Sequence, residues 1–251
     1  MINRRIVISQ LSRTEGWLSE HEGLLLYTLA RGLNGEGDIV EIGSWKGRST
    51  VCLGLGIVSS GRQRQLLAID PHRGSLISGG KAAENTYSDF RQAIGHAGLT
   101  GVVKPLKTTS AAASAKWGGR ASMVFIDGLH DYAHTRQDYL LWHPKIMPGG
   151  ILAFHDAFCG QAGVMQAVES HILNSRTFTD IGTVGSILYT VNGTPGMLRS
   201  LIVGWKIFLI RLSHMIYRSE MPPVIRVILI HRIIRIMLMN RRSARVYLPF
   251  L

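Results

Sequence analysis

The stretch "SMVFIDGLHDYAH", residues 122–134, begins as an apolar run and ends in polar groups. Residues 124–126 favour burial, whereas Asp127 and His130 favour water or a polar site. This reversal is typical of a strand that emerges from the middle of a sheet, because a carboxylate is costly to bury without partners. The stretch therefore predicts a buried strand that brings Asp127 and His130 to a functional site.

Apolar runs alternate with helical-period segments along most of the chain, from Ile39 to Val191. Near-continuous apolar strands separated by helices predict a parallel sheet covered on both faces. We therefore predict an α/β, Rossmann-like doubly wound fold with a mostly parallel sheet, which ends in an antiparallel hairpin at 178–191. The predicted parallel strands are 38–43, 65–70, 101–106, 121–128 and 149–156, and the predicted helices are 15–33, 47–61, 84–98 and 131–146.

The composition predicts a folded body and a distinct basic tail. Of the 251 residues, 46% are hydrophobic and 18% are charged, which is enough to build a full core. Residues 1–196 carry 18 basic and 15 acidic residues, whereas residues 197–251 carry 10 basic and 1 acidic. We expect a Rossmann-like domain over 1–196 and a basic amphipathic extension over 197–251.

The cysteine content and the first residues bear on location. Cys52 and Cys159 are the only cysteines, so a disulfide framework or a cysteine-rich zinc site is not expected. The first 17 residues lack the apolar core of a secretory signal. A cytoplasmic location is therefore expected.

Polar residues follow four of the predicted strands. Ligands of open α/β sheets bind just outside the carboxyl ends of the strands. Because these ends share one edge, the side chains that follow them are expected to form one site. The residues concerned are Glu41 and Gly43, Asp70, Asp127, and the pair His155 and Asp156.

The turn after the first strand has the features of a ligand-binding loop. Gly43 and Gly47 allow positive φ angles and a close approach of a ligand to the backbone. The turn is neither a G-x-G-x-x-G motif nor a P-loop. Asp70, after the second strand, is suited to accept hydrogen bonds from the hydroxyls of a ribose. A tight strand–helix connection with Asp70 as a turn residue is the alternative.

Four motifs in this order carry a resemblance to a known family. Together they resemble class I S-adenosylmethionine-dependent methyltransferases over about residues 15–192. The nearest group is that of small-molecule and sugar O-methyltransferases related to macrocin O-methyltransferase and, more distantly, to catechol O-methyltransferase. The motifs are "VEIGSWKGRST" (40–50), "LLAIDPHRGS" (66–75), "SMVFIDGLHDY" (122–132) and "MPGGILAFHD" (147–156).

The resemblance implies S-adenosylmethionine as the cofactor and assigns its contacts. It places Glu41 and Gly43 beside the methionine part, Asp70 on the ribose and Ser110 at the border of the adenine. Thr109 stands where related sequences often have an acid. The predicted cofactor-binding residues are Glu41, Gly43, Gly47, Asp70, Ser110 and Asp127.

Methyl transfer to a hydroxyl needs an activated oxygen, which a divalent metal and a general base can provide. By the resemblance, Asp127, His155 and Asp156 would bind the metal, with Mg²⁺ favoured and Mn²⁺ as an alternative. His155 departs from the usual carboxylate or amide, and an indirect role is its other interpretation. His130 is the predicted catalytic base, because a histidine accepts a proton near neutral pH. Capping of loops and helices is the alternative for the two aspartates, and a surface position for His130.

The tail predicts membrane contact. Residues 197–218 form an amphipathic pattern at helical spacing, and Lys206 and Arg211 interrupt every window long enough to span a bilayer. This segment is expected to lie on a bilayer surface with its basic residues toward anionic head groups. Residues 222–242 are also basic and apolar. Packing on the body or on a second subunit is the alternative, and nucleic-acid binding is disfavoured by the excess of Ile and Leu.

The predicted function follows from these sites. We expect an S-adenosylmethionine- and divalent-metal-dependent O-methyltransferase acting on a hydroxyl of a sugar or glycoconjugate, with a lipid-linked acceptor indicated by the tail. The expected location is the cytoplasm, on the inner face of the cell membrane. One alternative is a metal-independent methyltransferase of a phenolic or antibiotic-like compound. The other is a non-catalytic, membrane-associated scaffold, and a homo-oligomer fits any of these.

Overall fold

The structure is a computed structural model that contains seven strands and eight α-helices among the residues it describes. The described residues are 2–73, 86–158, 161–175, 177–219, 221–222, 225–226, 228–230 and 233. The strands are β1 (Asp38–Ile42), β2 (Leu66–Ile69), β3 (Val103–Leu106), β4 (Ala121–Ile126), β5 (Ile146–Phe154), β6 (Phe178–Val184) and β7 (Ile187–Asn192). The helices are α1 (Arg4–Arg13), α2 (Glu20–Gly32), α3 (Arg48–Ser60), α4 (Tyr87–His96), α5 (Ser110–Lys116), α6 (Tyr132–Trp142), α7 (Ala162–Val168) and α8 (Met197–Arg218).

The strands form one sheet in the order β3-β2-β1-β4-β5-β7-β6. Strands β1 to β5 are parallel to one another, whereas β7 is antiparallel to both β5 and β6. The predicted Rossmann-like fold with a C-terminal antiparallel hairpin is confirmed. The strand order reverses between β1 and β4, and ligands of open α/β sheets bind at such a switch point.

The central strands are buried because both faces of the sheet are covered. In β4, all six residues are buried. Met123 and Phe125 join the core formed with α2, α3 and α4, whereas Val124 and Ile126 join the core formed with α6 and α7. This alternation with a period of two is the geometry of a strand between two layers. It explains why the apolar run is continuous.

Prolines mark two of the boundaries. Pro105 lies in β3, which pairs only with β2, so the missing N–H faces no neighbouring strand. Pro144 lies in a 3₁₀ turn, His143–Lys145, that ends the helical segment after Trp142. Strand β5 therefore begins at Ile146, earlier than the predicted residue 149.

Three helices, α1, α5 and α7, were not predicted from the sequence. Helix α1 packs Val7 and Leu11 into the core beside α2, and α7 continues into a π-helical turn over Glu169–Leu173. The four-residue spacing of Val7 and Leu11 was the available signal for α1.

Helix α8 forms over the predicted residues, but its orientation differs from the prediction. Lys206 Nζ lies 2.5 Å from Asp180 Oδ1, and Arg211 Nη2 donates to Asn174 Oδ1 at 2.7 Å. Val203 and Ile210 enter the core shared with β6. The basic residues Lys206 and Arg211 therefore contact the domain rather than an outer surface.

The side of α8 that faces away from the domain is apolar. We call this side the apolar stripe; it consists of Leu198, Leu201, Trp205, Phe208 and Met215, each of which is more than half exposed. Within the part of the chain that the structure describes, no helix has the length and apolar character needed to cross a bilayer. Most of the predicted segment 222–242 lies outside the described residues.

Candidate active site at the carboxyl edge of the sheet

Three predicted residues meet where β4 and β5 end. Asp127, His130 and Asp156 each offer one ligand atom, and these atoms all lie within 4.8 Å of one another. His130 Nε2 is 3.0 Å from Asp156 Oδ2 and 3.7 Å from Asp127 Oδ1. The backbone N–H of Asp127 donates to the Ile42 carbonyl at 2.8 Å, which ties this site to the end of β1. The predicted convergence of these three residues is present in the structure.

The cluster holds His130 in its protonated form near neutral pH. The carboxylates of Asp127 and then Asp156 raise the pKa of His130 to about 9 and outweigh the opposite effect of burial. An imidazolium at this position stabilises two neighbouring negative charges. A divalent cation bound by the same carboxylates would compete with that proton.

His155 contacts the same carboxylates from the buried side. Its Nδ1 lies 3.2 Å from Asp127 Oδ1 and 3.2 Å from Asp156 Oδ1, and its side chain is 7% exposed. Burial alone would lower the pKa of His155, but contacts with Asp127, Asp156 and Glu22 raise it to about 12. His155 lies outside the group of three that meets the metal-ligand geometry, so its predicted role as a ligand stays a prediction.

Glu22 is a residue of this site that the sequence analysis missed. It comes from α2, is 5% exposed and places Oε1 at 3.9 Å from His155 Nε2. Burial raises the pKa of Glu22, but contacts with His155, Ser19 and Ser186 hold it well below its usual range. The Ser19–Glu22 spacing is a capping box and was visible in the sequence. The contact with His155 was not, because it joins distant parts of the chain.

The glycine turn after β1 is packed directly against the end of β4. Gly43 has φ +86°, and a Cβ on it would lie 2.0 Å from the carbonyl oxygen of Asp127. Gly47 has φ +91° and is the N-cap of α3. Trp45, between them, is a non-glycine residue with φ +41°. Only glycine fits at position 43, because a side chain there would clash with the Asp127 carbonyl and would disfavour the positive φ.

Asp70 holds this turn in place. Its Oδ2 accepts from the Trp45 backbone N–H at 2.8 Å, and its Oδ1 accepts from the His72 backbone N–H at 2.6 Å. Each carboxylate oxygen can accept a second hydrogen bond. Asp70 therefore combines an observed structural role with free acceptor capacity at the switch point of the sheet.

Glu41 lies beneath the turn and is completely buried. Its Oε2 accepts from Thr50 Oγ1 at 2.5 Å, while Oε1 has no hydrogen-bond partner among the described residues. Burial raises the pKa of Glu41 to about 8, although hydrogen bonds to Ser49 and Thr50 act in the opposite direction. A buried carboxyl oxygen without a partner is costly, and a bound ligand would remove that cost.

Ser110 is directed toward α6. Its Oγ accepts from Trp142 Nε1 at 2.8 Å. It also bonds Asp138, whose pKa burial raises to about 6. Asp138 lies beside the loop that follows β4, because a Cβ on Gly128 would be 3.4 Å from Asp138 Oδ2. The predicted adenine contact of Ser110 stays a prediction.

Comparison with known proteins agrees with this arrangement. Residues 40–157 match the family model described as a methyltransferase domain. This range includes the turn after β1, Asp70 and the whole cluster around Asp127. The predicted resemblance to methyltransferases is confirmed over this range of the chain.

Solved structures with the same fold include three named O-methyltransferases. NovP superposes with a TM-score of 0.59 at 16% identity, over 71% of this chain and 83% of its own. TomG from Streptomyces achromogenes, involved in tomaymycin synthesis and solved with S-adenosylmethionine, has a TM-score of 0.53 at 20% identity, over 70% and 82%. CalS11, a TDP-rhamnose 3'-O-methyltransferase of calicheamicin biosynthesis, has a TM-score of 0.52 at 15% identity, over 75% and 92%.

Proposed function

We propose that this protein transfers a methyl group from S-adenosylmethionine to a hydroxyl of a sugar or glycoconjugate, with the help of a divalent cation. The observation that carries the proposal is the meeting of Asp127, His130 and Asp156 beside the glycine turn and Asp70. The activity of CalS11 on a nucleotide-linked sugar supports this acceptor class. A sugar hydroxyl is a poor nucleophile, so two carboxylates and a histidine at one point suit its activation.

The residues around the turn would bind the cofactor, which supplies the methyl group. Asp70 would accept hydrogen bonds from the ribose hydroxyls, since its oxygens retain acceptor capacity. The unpartnered Glu41 Oε1 lies near the site proposed for the methionine part, which carries an amino group suited to it. Gly43 and Gly47 would let the ligand approach the backbone closely.

The donor set fits a divalent cation. Asp127 and Asp156 would supply carboxylate oxygens, whereas His130, whose Nε2 lies 3.0 Å from Asp156 Oδ2, is kept for proton transfer. Carboxylate oxygens suit Mg²⁺, which prefers oxygen, and they also bind Mn²⁺. A bound cation would lower the pKa of the acceptor hydroxyl.

His130 would act as the catalytic base. The two carboxylates raise the pKa of His130. A cation bound to them would offset their negative charge and so lower this pKa toward neutral pH. S-adenosylmethionine would supply the methyl group to the acceptor oxygen and leave as S-adenosylhomocysteine, and the imidazole of His130 would take the proton that the hydroxyl loses. A neutral His130 close to the carboxylates is the state that can accept this proton.

Calorimetry and an acceptor panel test the proposal. The purified protein should bind S-adenosylmethionine and methylate members of a panel of nucleotide sugars and glycolipids, with loss of activity in EDTA and recovery with Mg²⁺ or Mn²⁺. Asp127→Asn should reduce turnover at least about 100-fold. Asp131→Asn is the matched control, because Asp131 is a nearby exposed N-cap and asparagine caps equally well.

The other outcomes point to the alternative functions. Activity that resists EDTA but disappears in His130→Ala would favour a metal-independent methyltransferase. Absence of cofactor binding would contradict the proposal altogether. Vesicle binding without methyl transfer to any acceptor would favour the scaffold.

Peripheral membrane contact through α8 is the second part of the proposal. The apolar stripe faces away from the domain, and residues 197–251 carry 10 basic residues and 1 acidic one. An apolar helix face within a segment of basic composition suits an anionic bilayer surface, where a lipid-linked acceptor would be found. Trp205 and Phe208, which stack at 5.5 Å between ring centroids, would insert into the interface.

Vesicle sedimentation tests this contact. The wild-type protein should sediment with anionic vesicles more than with neutral ones, and Trp205→Glu combined with Phe208→Glu should abolish sedimentation without changing activity on a water-soluble acceptor. Leu140→Glu, a change at another exposed apolar residue, is the control. Equal sedimentation of the double variant and the wild type would contradict the proposal.

A further inference from the structure

The carboxylate of Glu22 joins the first part of the chain to the candidate active site. One oxygen, Oε2, accepts from the backbone N–H and the hydroxyl of Ser19, at 2.8 and 2.7 Å, and so caps α2. The other oxygen, Oε1, accepts from the backbone N–H and the hydroxyl of Ser186, at 2.7 and 2.8 Å. The two oxygens therefore serve two separate structures.

A first route leads from Glu22 to Asp156 through Ser186. While Ser186 Oγ donates to Glu22, it accepts from the Asp156 backbone N–H at 3.3 Å. The Ser186 carbonyl accepts from the Ala157 N–H at 2.9 Å. Asp156 has φ +57°, a conformation that a non-glycine residue keeps only where its surroundings impose it. Ser186, held by Glu22, is part of those surroundings.

A second route leads through His155. The Nε2 of His155 faces Glu22 Oε1 at 3.9 Å, and the Nδ1 on the other side of the ring faces both Asp127 and Asp156 at 3.2 Å. Glu22 thus lies at one end of a carboxylate–imidazole–carboxylate array. In metal sites, such outer groups orient the groups that touch the metal.

The packing around Glu22 leaves little room for another arrangement. Its side chain is 6% exposed, and a Cβ on Gly185 would lie 2.5 Å from Glu22 Oε1. The turn between β6 and β7 therefore closes directly onto this carboxylate.

We propose that Glu22 is a positioning residue that sets the orientation of Asp127 and Asp156 through His155 and Ser186. The proposal rests on the proposed cation site, and it extends the functional unit to α2, outside the matched domain of residues 40–157. Glu22 does not touch the acceptor or the cation in this arrangement. Its effect is on the geometry of the two residues that do.

The two oxygens of Glu22 allow its positioning role to be separated from helix capping. Ser19→Ala removes the hydroxyl contact to Oε2 and leaves Oε1 on Ser186 and near His155. In Glu22→Gln, His155 loses the negative charge that it faces, whichever way the amide turns, and the amide nitrogen also meets backbone donors of either Ser19 or Ser186. Both variants should lower the melting temperature, but only Glu22→Gln should disturb the site.

The measurement is binding of Mn²⁺, followed by electron paramagnetic resonance in the absence of acceptor. We expect Mn²⁺ affinity to fall about 10- to 100-fold in Glu22→Gln and to stay unchanged in Ser19→Ala. The affinity for S-adenosylmethionine should stay within about twofold in both variants, because Asp70 and Gly43 are unaltered. Wild-type Mn²⁺ affinity in Glu22→Gln would overturn the proposal.

A crystal structure of Glu22→Gln gives a readout that is independent of any ligand. The expected result is that His155 leaves its 3.2 Å contacts with the aspartates, or that Asp156 leaves its positive φ. Unchanged positions of both residues would overturn the proposal. If wild-type protein binds no Mn²⁺, the cation of the proposed function is wrong, while this crystal structure still decides the role of Glu22.

Discussion

At the scale of single residues, the site depends on acids whose partners lie far away in the chain. Asp127 and Asp156 could be identified from the sequence because each follows a buried strand, where an acid is conspicuous. Glu22 and Asp138 could not, because an acid within a helix normally faces water. Their burial follows from contacts with Ser186 and Ser110, which no local pattern encodes.

Gly43 offers the most direct test of the contact between β1 and β4. In Gly43→Ala, the added Cβ meets the Asp127 carbonyl at 2.0 Å and the residue keeps an unfavourable φ of +86°. We expect a loss of at least about 3 kcal/mol in the free energy of unfolding and loss of cofactor binding. Urea denaturation and calorimetry measure the two effects.

Gly95 is the control for this substitution. It lies within α4 and has no atom within 4 Å of an added Cβ. Gly95→Ala should therefore raise the free energy of unfolding by about 0.5 to 1 kcal/mol and leave cofactor binding unchanged. Equal stability of the two variants would show that the close approach at Gly43 is not needed.

The raised pKa of the buried Asp138 should make the protein less stable as the pH rises above 4. Burial raises its pKa from 3.8 to about 6, so the folded state holds a proton that the unfolded state releases between these values. The contribution of Asp138 to stability therefore falls as the pH rises through this window. Asparagine does not titrate, so Asp138→Asn should be more stable than wild type above pH 6, by up to about 3 kcal/mol.

Urea denaturation of both proteins at pH 4 and pH 7 checks this expectation. The difference in free energy of unfolding between Asp138→Asn and wild type should increase from pH 4 to pH 7. A constant difference would mean that Asp138 keeps an ordinary pKa in the folded protein.

At the scale of elements, apolar runs were the reliable signal. β1, β2 and β4 were predicted to within one or two residues, because a strand covered on both faces must be apolar throughout. The orientation of α8 was not predictable in this way. Its pattern has a basic side and an apolar side. Which side packs on the domain depends on Asp180 and Asn174, which lie on the domain surface that α8 contacts.

The ion pair between Lys206 and Asp180 predicts how strongly α8 is docked. Both side chains are mostly buried, so Lys206→Ala would leave Asp180 without its counter-charge. We expect a loss of about 2 kcal/mol in the free energy of unfolding and faster proteolysis near the start of α8. Arg199→Ala, at an exposed position on the same helix, should change neither.

A second substitution at Asp180 isolates the pair. In Lys206→Met combined with Asp180→Asn, no charge is left buried, so most of the stability should return. A double variant as unstable as Lys206→Ala would assign the loss to packing of the lysine stem.

At the scale of the whole molecule, the sheet contributes side chains to two cores. One core joins α1 to α4, and the other joins α6, α7, β6 and part of α8. The candidate active-site residues lie at the carboxyl edge of the sheet. The fold class could be predicted because it follows from strand periodicity, whereas the domain boundary at 196 remains a prediction, with α8 contributing side chains to the second core.

Two truncated chains separate the contribution of the tail to stability from its contribution to vesicle binding. A chain ending at residue 196 loses Val203 and Ile210 from the second core, which should cost about 3 kcal/mol or more and expose apolar surface to a fluorescent hydrophobic dye. A chain ending at 219 keeps both residues, the ion pair and the apolar stripe, so it should retain methyl transfer. It loses Ile233, which is buried together with Leu209 and Ile216, so it should melt below the wild-type temperature but above the shorter chain. It lacks the 6 basic residues and 1 acidic residue of 220–251, so its affinity for anionic vesicles should fall while some affinity for neutral vesicles persists. Wild-type stability of the chain ending at 196 would show that the fold does not need α8, and that the role of α8 is confined to contacts made by its apolar stripe.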